Sequence, residues 1–240
     1  TNYQLTAELI KRHWNTATNG VLRASPSIFL VTLGGPARST QCIHTVDDCQ
    51  GWFYSDEIYH GLVYGKKAHT ALAYGDHIFV INSFSKYFGM TGWRIGWLVV
   101  PDDFVEATEK LAQNIFISTP TLSQYAALSA FGDGTLHELE LRRNEFAARR
   151  DFLYGALVQL GFDIPVKPEG AFYLYANCAK FTDDSHRFAL ALLEEEGVAV
   201  TPGLDFGSYQ AQQHLRFAYT TSIERMTVAI ERLQRFINHL

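Results

Sequence analysis

Cysteine is scarce. Three in 240 residues, Cys42, Cys49 and Cys178, are too few and too irregular for a disulfide framework. Cys42, His44 and Cys49 lack the paired ligand spacing of a zinc site, so no metal is expected. An excess of positive charge is missing too: 20 Lys and Arg stand against 25 Asp and Glu, a net charge of -5, which gives no footprint for nucleic acid. No apolar run approaches the length of a membrane span, and Thr1-Asn2-Tyr3-Gln4 is not the charged-then-apolar opening of a signal peptide. Neither nucleic acid nor membrane is expected as a partner, and the cytoplasm is the expected compartment. Internal repeats and low-complexity tracts are absent as well. What is present is apolar content of 47%, enough to bury a sizeable core in one large or two modest domains.

Short apolar runs at 22–24, 52–55, 78–82 and 96–100 suit strands buried on both faces of a largely parallel sheet. Helices are expected over 102–111 and 121–131, the second closed by the breaker Gly132-Asp133-Gly134. A long helix then places Leu139, Phe146, Leu153, Leu157 and Leu160 on one face. Its basic run, Arg142, Arg143, Arg149 and Arg150, reads as a solvated surface rather than an anion site. Strands near 172–175 and 198–201, a helix near 186–196 and a final helix burying Met226, Ile230, Leu233 and Ile237 complete an α/β pattern. The stretch 28–50, with Gly34-Gly35-Pro36 and no sustained helical apolar period, is not expected to be a helix.

The chemistry clusters at the ends of two apolar runs. After His77-Ile78-Phe79-Val80-Ile81-Asn82 come Ser83-Phe84-Ser85-Lys86 and, eight positions on, Arg94 in Thr91-Gly92-Trp93-Arg94-Ile95-Gly96. A lysine amine condenses with an aldehyde, and hydroxyls with a guanidinium hold a phosphate by charge-assisted, multi-point bonds. Pyridoxal 5'-phosphate satisfies both halves. Upstream, Gly51-Trp52-Phe53-Tyr54 runs into Ser55-Asp56-Glu57-Ile58-Tyr59. A carboxylate beside the pyridine nitrogen keeps it protonated, so that the ring accepts electrons from a breaking bond at the substrate α-carbon. A phenol three residues later can reach the 3' oxygen. Both sites sit just past strand ends, where open α/β sheets place ligands.

With these residues in view, the chain resembles the class I/II aminotransferases of the fold-type I pyridoxal-phosphate family over almost its whole length. The pattern S-x-S-K-x-x-x-x-x-G-x-R-x-G falls on Ser83, Ser85, Lys86, Gly92, Arg94 and Gly96, and D-E-x-Y on Asp56, Glu57 and Tyr59. Arg216 in Leu215-Arg216-Phe217 matches the arginine that holds the substrate carboxylate, and the stretches 169–174 and 200–207 are similar to the family's small-domain strands.

The resemblance implies an incomplete large, cofactor-binding domain over 1–132, with a largely parallel sheet. A linker helix and a small α/β domain follow over 133–240. It implies transfer of an amino group between an amino acid and a 2-oxo acid through a Lys86 Schiff base, in a homodimer. Asp56 and Lys86 are the expected catalytic residues, Tyr59, Ser83, Ser85 and Arg94 further cofactor contacts, and Arg216 the substrate contact. Family members begin with a longer front segment, so Thr1 reads as an internal position. After Ser27 they continue with Asn-Pro-Thr-Gly, where this chain has Ile28, so the asparagine that assists at the 3' oxygen is absent. Two alternatives stay open: a lyase of the same fold catalysing C–S cleavage or β-elimination, and a degenerate, inactive fragment.

Overall fold

The computed structural model describes residues 5–24 and 35–240. They divide into two compact units, one running to Arg143 and the other Asn144–Leu240. In the first unit α1 (Ala7–His13) and β1 (Gly20–Ala24) precede α2 (Pro36–Asp48), β2 (Trp52–Asp56), β3 (Ile78–Ser83) and β4 (Gly96–Val99). The sheet order is β1-β2-β3-β4, parallel across the first three strands and antiparallel at β4. This is the largely parallel α/β sheet expected from the continuous apolar runs. Parallel register sets Ala24 beside Asp56 and Asp56 beside Ile81, so the chain leaves β2 and β3 at the same edge. The core under the sheet joins Phe53, Ile78 and Val80 to Ile10, Cys42, Ile43 and Val46. Each large apolar side chain buried here contributes roughly 1.5–3 kcal/mol of transfer free energy.

The expectation of no helix in 28–50 is corrected in its second half; residues 28–34 lie outside the described residues. The helix α2 starts with a proline at its first turn, where the missing N–H costs nothing. It buries Ser39, Cys42, Ile43 and Val46, spaced i, i+3, i+4, i+7. A serine and a cysteine complete that stripe, so a count of apolar residues alone misses it. The short α1 also went unpredicted; Thr6 caps it by accepting the Leu9 N–H at 3.2 Å.

Three helices close the first unit's sequence: α3 (Val105–Phe116), preceded by a 3-10 turn at Asp102–Phe104, then α4 (Thr121–Ser129) and α5 (Asp133–Leu160). Gly134 lies inside α5, so the breaker separates the helices at 130–132 only. In the second unit α5 continues and is followed by β5 (Tyr173–Asn177), α6 (Ser185–Glu196), β6 (Thr201–Pro202), β7 (His214–Ala218) and α7 (Ile223–Asn238). An antiparallel sheet of order β5-β7-β6 shares a core with the helices that includes Leu174, Leu192, Leu215 and Leu233. Asp184 caps α6 by accepting the His186 and Arg187 N–H groups. In α7 Met226, Leu233 and Phe236 are buried, while Ile230 and Ile237 are half-buried.

The reading of the α5 arginines as a solvated face holds for the exposed Arg142 and is corrected for Arg149 and Arg150. The side chains of Arg149 and Arg150 are only 16% and 12% exposed. They pair with Glu145 and Asp151, and Arg150 also donates to the Pro168 carbonyl at 2.8 Å. The aliphatic stems pack while the heads find oxygen partners, which a charge count cannot distinguish from solvation.

Candidate functional site

Asp56 is the last residue of β2 and is half-buried. Its Oδ1 accepts the Ile58 N–H at 3.1 Å, an Asx turn that bends the chain out of the strand. The turn continues with His60 N–H donating to the Glu57 carbonyl at 2.9 Å and Leu62 N–H to the Tyr59 carbonyl at 2.8 Å. Tyr59 is buried, and the Lys86 ammonium lies 5.7 Å from its ring centroid, within cation–π range. Lysine and tyrosine, distant in sequence, are thus brought together.

The loop after β3 is a network of short bonds. The Asn82 side chain accepts the Ser83 N–H at 2.8 Å. The Ser83 Oγ accepts the Ser85 N–H at 3.0 Å and stands 2.9 Å from the Ser85 Oγ and 3.2 Å from the Ile95 carbonyl. Thr91 donates its hydroxyl to the Ser85 carbonyl at 2.7 Å, and Arg94 donates to the Thr91 carbonyl at 2.9 Å. Ser83, Ser85 and Arg94 therefore share one bonded loop through Thr91, a residue the sequence reading did not single out. Arg94 is left-handed, φ 50°, a conformation costing about 1 kcal/mol for a residue with a Cβ. Gly96 returns the chain to the sheet so closely that a Cβ there would lie 2.7 Å from the Asn82 carbonyl oxygen. Gly92 and Gly96 with Trp93 and Trp97 around Arg94 suggest, in sequence, a tight and partly buried turn; the structure corrects this, since Arg94 is exposed, as are Trp93 and Trp97.

Beside the loop lies a cavity of ≈ 540 Å³ lined by Ile58, Gly61, Asn82, Ser83, Tyr87 and Trp97, among others. Of the predicted site residues it takes in Ser83, while Lys86 and Asp56 are not part of its wall. A Cβ at Gly61 would collide with the Tyr87 ring. The Tyr87 hydroxyl donates to Glu140 at 2.7 Å, and Arg143 bonds both Glu140, at 2.7 Å, and the Val63 carbonyl, at 3.0 Å. Burial, reinforced by the Glu140 carboxylate, pushes the Tyr87 phenol up to about 12.

Sequence reading also passed over Glu57, which is 3% exposed. Its carboxylate accepts the Ser55 hydroxyl at 3.0 Å and the Ala71 N–H at 2.7 Å, and pairs with His60 Nδ1 at 3.2 Å. Burial alone would raise its pKa; the bonds from His60, Ala71 and Thr70 outweigh it and hold the carboxyl below the usual range. The acidic pair Asp56-Glu57 was visible in the sequence, but not which of the two faced inward.

Arg216 belongs to the second unit, on β7, between Tyr175 and Thr201 in register. Its guanidinium lies over two rings, 4.3 Å from the Tyr173 centroid and 4.4 Å from that of Phe206. One bond runs to the Thr201 hydroxyl at 3.4 Å, and Nε is buried with no hydrogen-bond partner. An oriented guanidinium with an unmet donor is suited to a carboxylate. Among the described residues no group of His, Cys, Asp and Glu could hold a metal, and no helix is long and apolar enough to cross a membrane.

Residues 36–233 match the family model described as aminotransferase class I and II. The chain is 35% identical over 235 residues to the valine–pyruvate aminotransferase of Mycobacterium tuberculosis, covering 97% of this chain and 60% of that protein. To the (5-formylfuran-3-yl)methyl phosphate transaminase of Methanocaldococcus jannaschii it is 40% identical over 190 residues, 78% of this chain and 50% of that one. It thus spans 50% to 60% of the length of these two relatives. The crystal structure of an aminotransferase from Mycobacterium tuberculosis superposes with a TM-score of 0.95 at 34% identity, over 100% of this chain and 62% of that one. The aspartate aminotransferase of Thermus thermophilus with maleate gives 0.91 at 30% identity, over 98% and 61%.

Proposed function

Because the chain belongs to the class I and II aminotransferase family, whose members use pyridoxal phosphate, we propose that it is a pyridoxal-phosphate-dependent aminotransferase. It moves an amino group between an amino acid and a 2-oxo acid. The observation that carries this reading is the shared edge of two adjacent parallel strands: Asp56 ends β2, Ser83 ends β3, and Lys86 follows within reach of Tyr59.

The residues present fit the cofactor. Arg94 makes no ion pair among the described residues, so its charge is available for a phosphate, and Ser83 and Ser85 stand beside one another in the same loop. Asp56 would hold the proton on the ring nitrogen and Tyr59 would meet the 3' oxygen. When bound, the cofactor supplies an electron sink for the bond broken at the substrate α-carbon.

The rest falls to the chain. Lys86 would hold the cofactor through its amine, and the same amine would move a proton at the substrate α-carbon as general base and acid. Arg216 binds the substrate carboxylate, its guanidinium held by its contacts with the Tyr173 and Phe206 rings. The relatives reported above are all transaminases, which supports transfer over elimination.

The division that belongs to this reading gives 1–132 to the cofactor and 133–240 to the linker helix and small domain; compactness alone divides α5 at Arg143. We assign a homodimer, supported by the apolar side chains that α3 and α4 leave exposed, among them Ile115, Phe116, Leu122 and Leu128. Three free cysteines fit a reducing compartment, and we assign the cytoplasm. The experiment is incubation with pyridoxal phosphate, borohydride reduction and peptide mass mapping. The label is expected on Lys86; a folded chain labelled nowhere, or only elsewhere, overturns the reading.

A further inference from the structure

The buried Glu57 is not explained by packing. Taking a carboxylate out of water costs several kcal/mol unless hydrogen bonds replace the lost hydration, and an apolar side chain would fill the same space without that cost. Here the replacement comes from both sides of Glu57 within its own segment and from a second stretch further on. Ser55 donates from β2, His60 from the following turn, and the Ala71 N–H from the start of the 3-10 turn Ala71–Tyr74. The backbone of Glu57 is pinned as well: its N–H donates to the Ile81 carbonyl at 2.8 Å, continuing the pairing with β3, and its carbonyl accepts the His60 N–H at 2.9 Å. His60 Nε2 is buried with no hydrogen-bond partner, so the Glu57 carboxylate is what orients that ring.

Along the strand Phe53, Ser55 and Glu57 are buried while Tyr54 and Asp56 are half-buried, the alternation of a pleated chain. Glu57 therefore faces away from Asp56, and it sits between Asp56 and Tyr59 in the turn.

Building on the function proposed above, we propose that Glu57 is a positioning residue for this site: its buried carboxylate, tied to Ser55, Ala71 and His60, fixes the 56–59 turn that presents Asp56 and Tyr59 to the cofactor. It touches neither cofactor nor substrate. It acts through its two neighbours.

The test is a graded series, Glu57→Gln and Glu57→Ala, in the chain as it is. Two readouts are used: pyridoxal phosphate affinity with the pH midpoint of the bound cofactor's visible absorbance, and amide hydrogen exchange over 56–62 in the cofactor-free chain. Gln keeps the shape and exchanges charge-assisted bonds for neutral ones, so about fivefold weaker cofactor binding is expected. Ala removes the bonds and should weaken binding by about tenfold or more. In both variants exchange at 56–62 accelerates while exchange in β7 does not change, and the absorbance midpoint moves because Tyr59 has shifted.

Should the alanine variant fail to fold, the glutamine variant decides alone. Wild-type affinity, midpoint and exchange in Glu57→Gln overturn the positioning role. So does acceleration spread equally over both units, which marks general destabilisation. A wild-type chain that takes up no cofactor overturns instead the function on which this role rests.

Discussion

The helices α3 and α7 are both amphipathic, yet α7 buries Met226, Leu233 and Phe236 in the second unit while α3 buries none of its residues in the first. Leu111 and Phe116 on α3 are 63% and 73% exposed. The contrast extends to the strands: β7 has His214, Leu215 and Phe217 buried, and β4 has none of its four residues buried. The second unit is closed around its own core. In the first unit, the parallel strands and α2 share a core, but the part from β4 through α4 presents apolar surface that the described residues do not cover. An apolar stripe says which face of a helix avoids water; it does not say what covers that face.

The sharpest way to break the contrast is through the chemistry it separates. Lys86→Ala should abolish borohydride-dependent labelling, while Arg216→Ala should leave that labelling intact, because Arg216 is assigned to substrate. Loss of labelling in both variants would end the division of labour between the units. In the same comparison Arg216→Ala should raise the KM for the amino acid by about 10- to 100-fold, the equivalent of losing one charge-assisted carboxylate contact. Steady-state kinetics with the Thr201 hydroxyl intact checks it.

Next in size is the closed core. Leu192 and Leu215 are fully buried, and truncating either to alanine should cost about 2–5 kcal/mol of stability, from lost transfer energy and the cavity left behind. Urea denaturation of each variant measures it. A cost below about 1 kcal/mol would mean that the second unit is less tightly packed than its exposure values indicate.

A smaller effect comes from acid. Glu57 titrates below its ordinary 4.5 in the folded chain, so as pH falls the unfolded chain takes up the proton first. The stability it contributes is therefore intact above that ordinary value and is lost as pH drops below it toward the folded value. Glu57→Gln should flatten the fall in stability on that acid side relative to the parent, and leave the second unit's response unaltered. Denaturant titrations at a series of acidic pH values read the difference.

Legibility follows the same contrast. The strands of the first sheet were readable because continuous apolar runs ending in polar residues have few alternatives, and Asp56 and Lys86 announced themselves by standing just past such runs. The helix α2 was not, because its buried stripe includes Ser39 and Cys42 and is opened by Gly35-Pro36, which reads as a turn. Glu57 was hidden for another reason: alternation put it on the inner face, and its partner Ala71 comes from a segment that only folding brings to it. The exposure of Arg94, Trp93 and Trp97 was misread because aromatic residues around glycines suggest burial, whereas the loop is held by backbone and hydroxyl bonds that need no apolar cover. Arg149 and Arg150 failed in the opposite direction, since the carboxylates and the Pro168 carbonyl that accept from them let charged heads sit mostly out of water.

The smallest expected effect bears most directly on the opening contrast. Leu111→Ala on α3 removes a side chain that is mostly in contact with solvent, so in this chain alone it should change stability by no more than about 0.5 kcal/mol. The same truncation at Leu233 on α7, 1% exposed, should cost several times as much. If the two helices are instead covered alike in solution, by a second copy of the chain over α3, then Leu111→Ala becomes costly and its cost grows with protein concentration, as mass action requires when folding and association are linked. Measuring both variants at two concentrations a hundredfold apart distinguishes a helix whose apolar face is left to solvent from one whose cover comes from another chain.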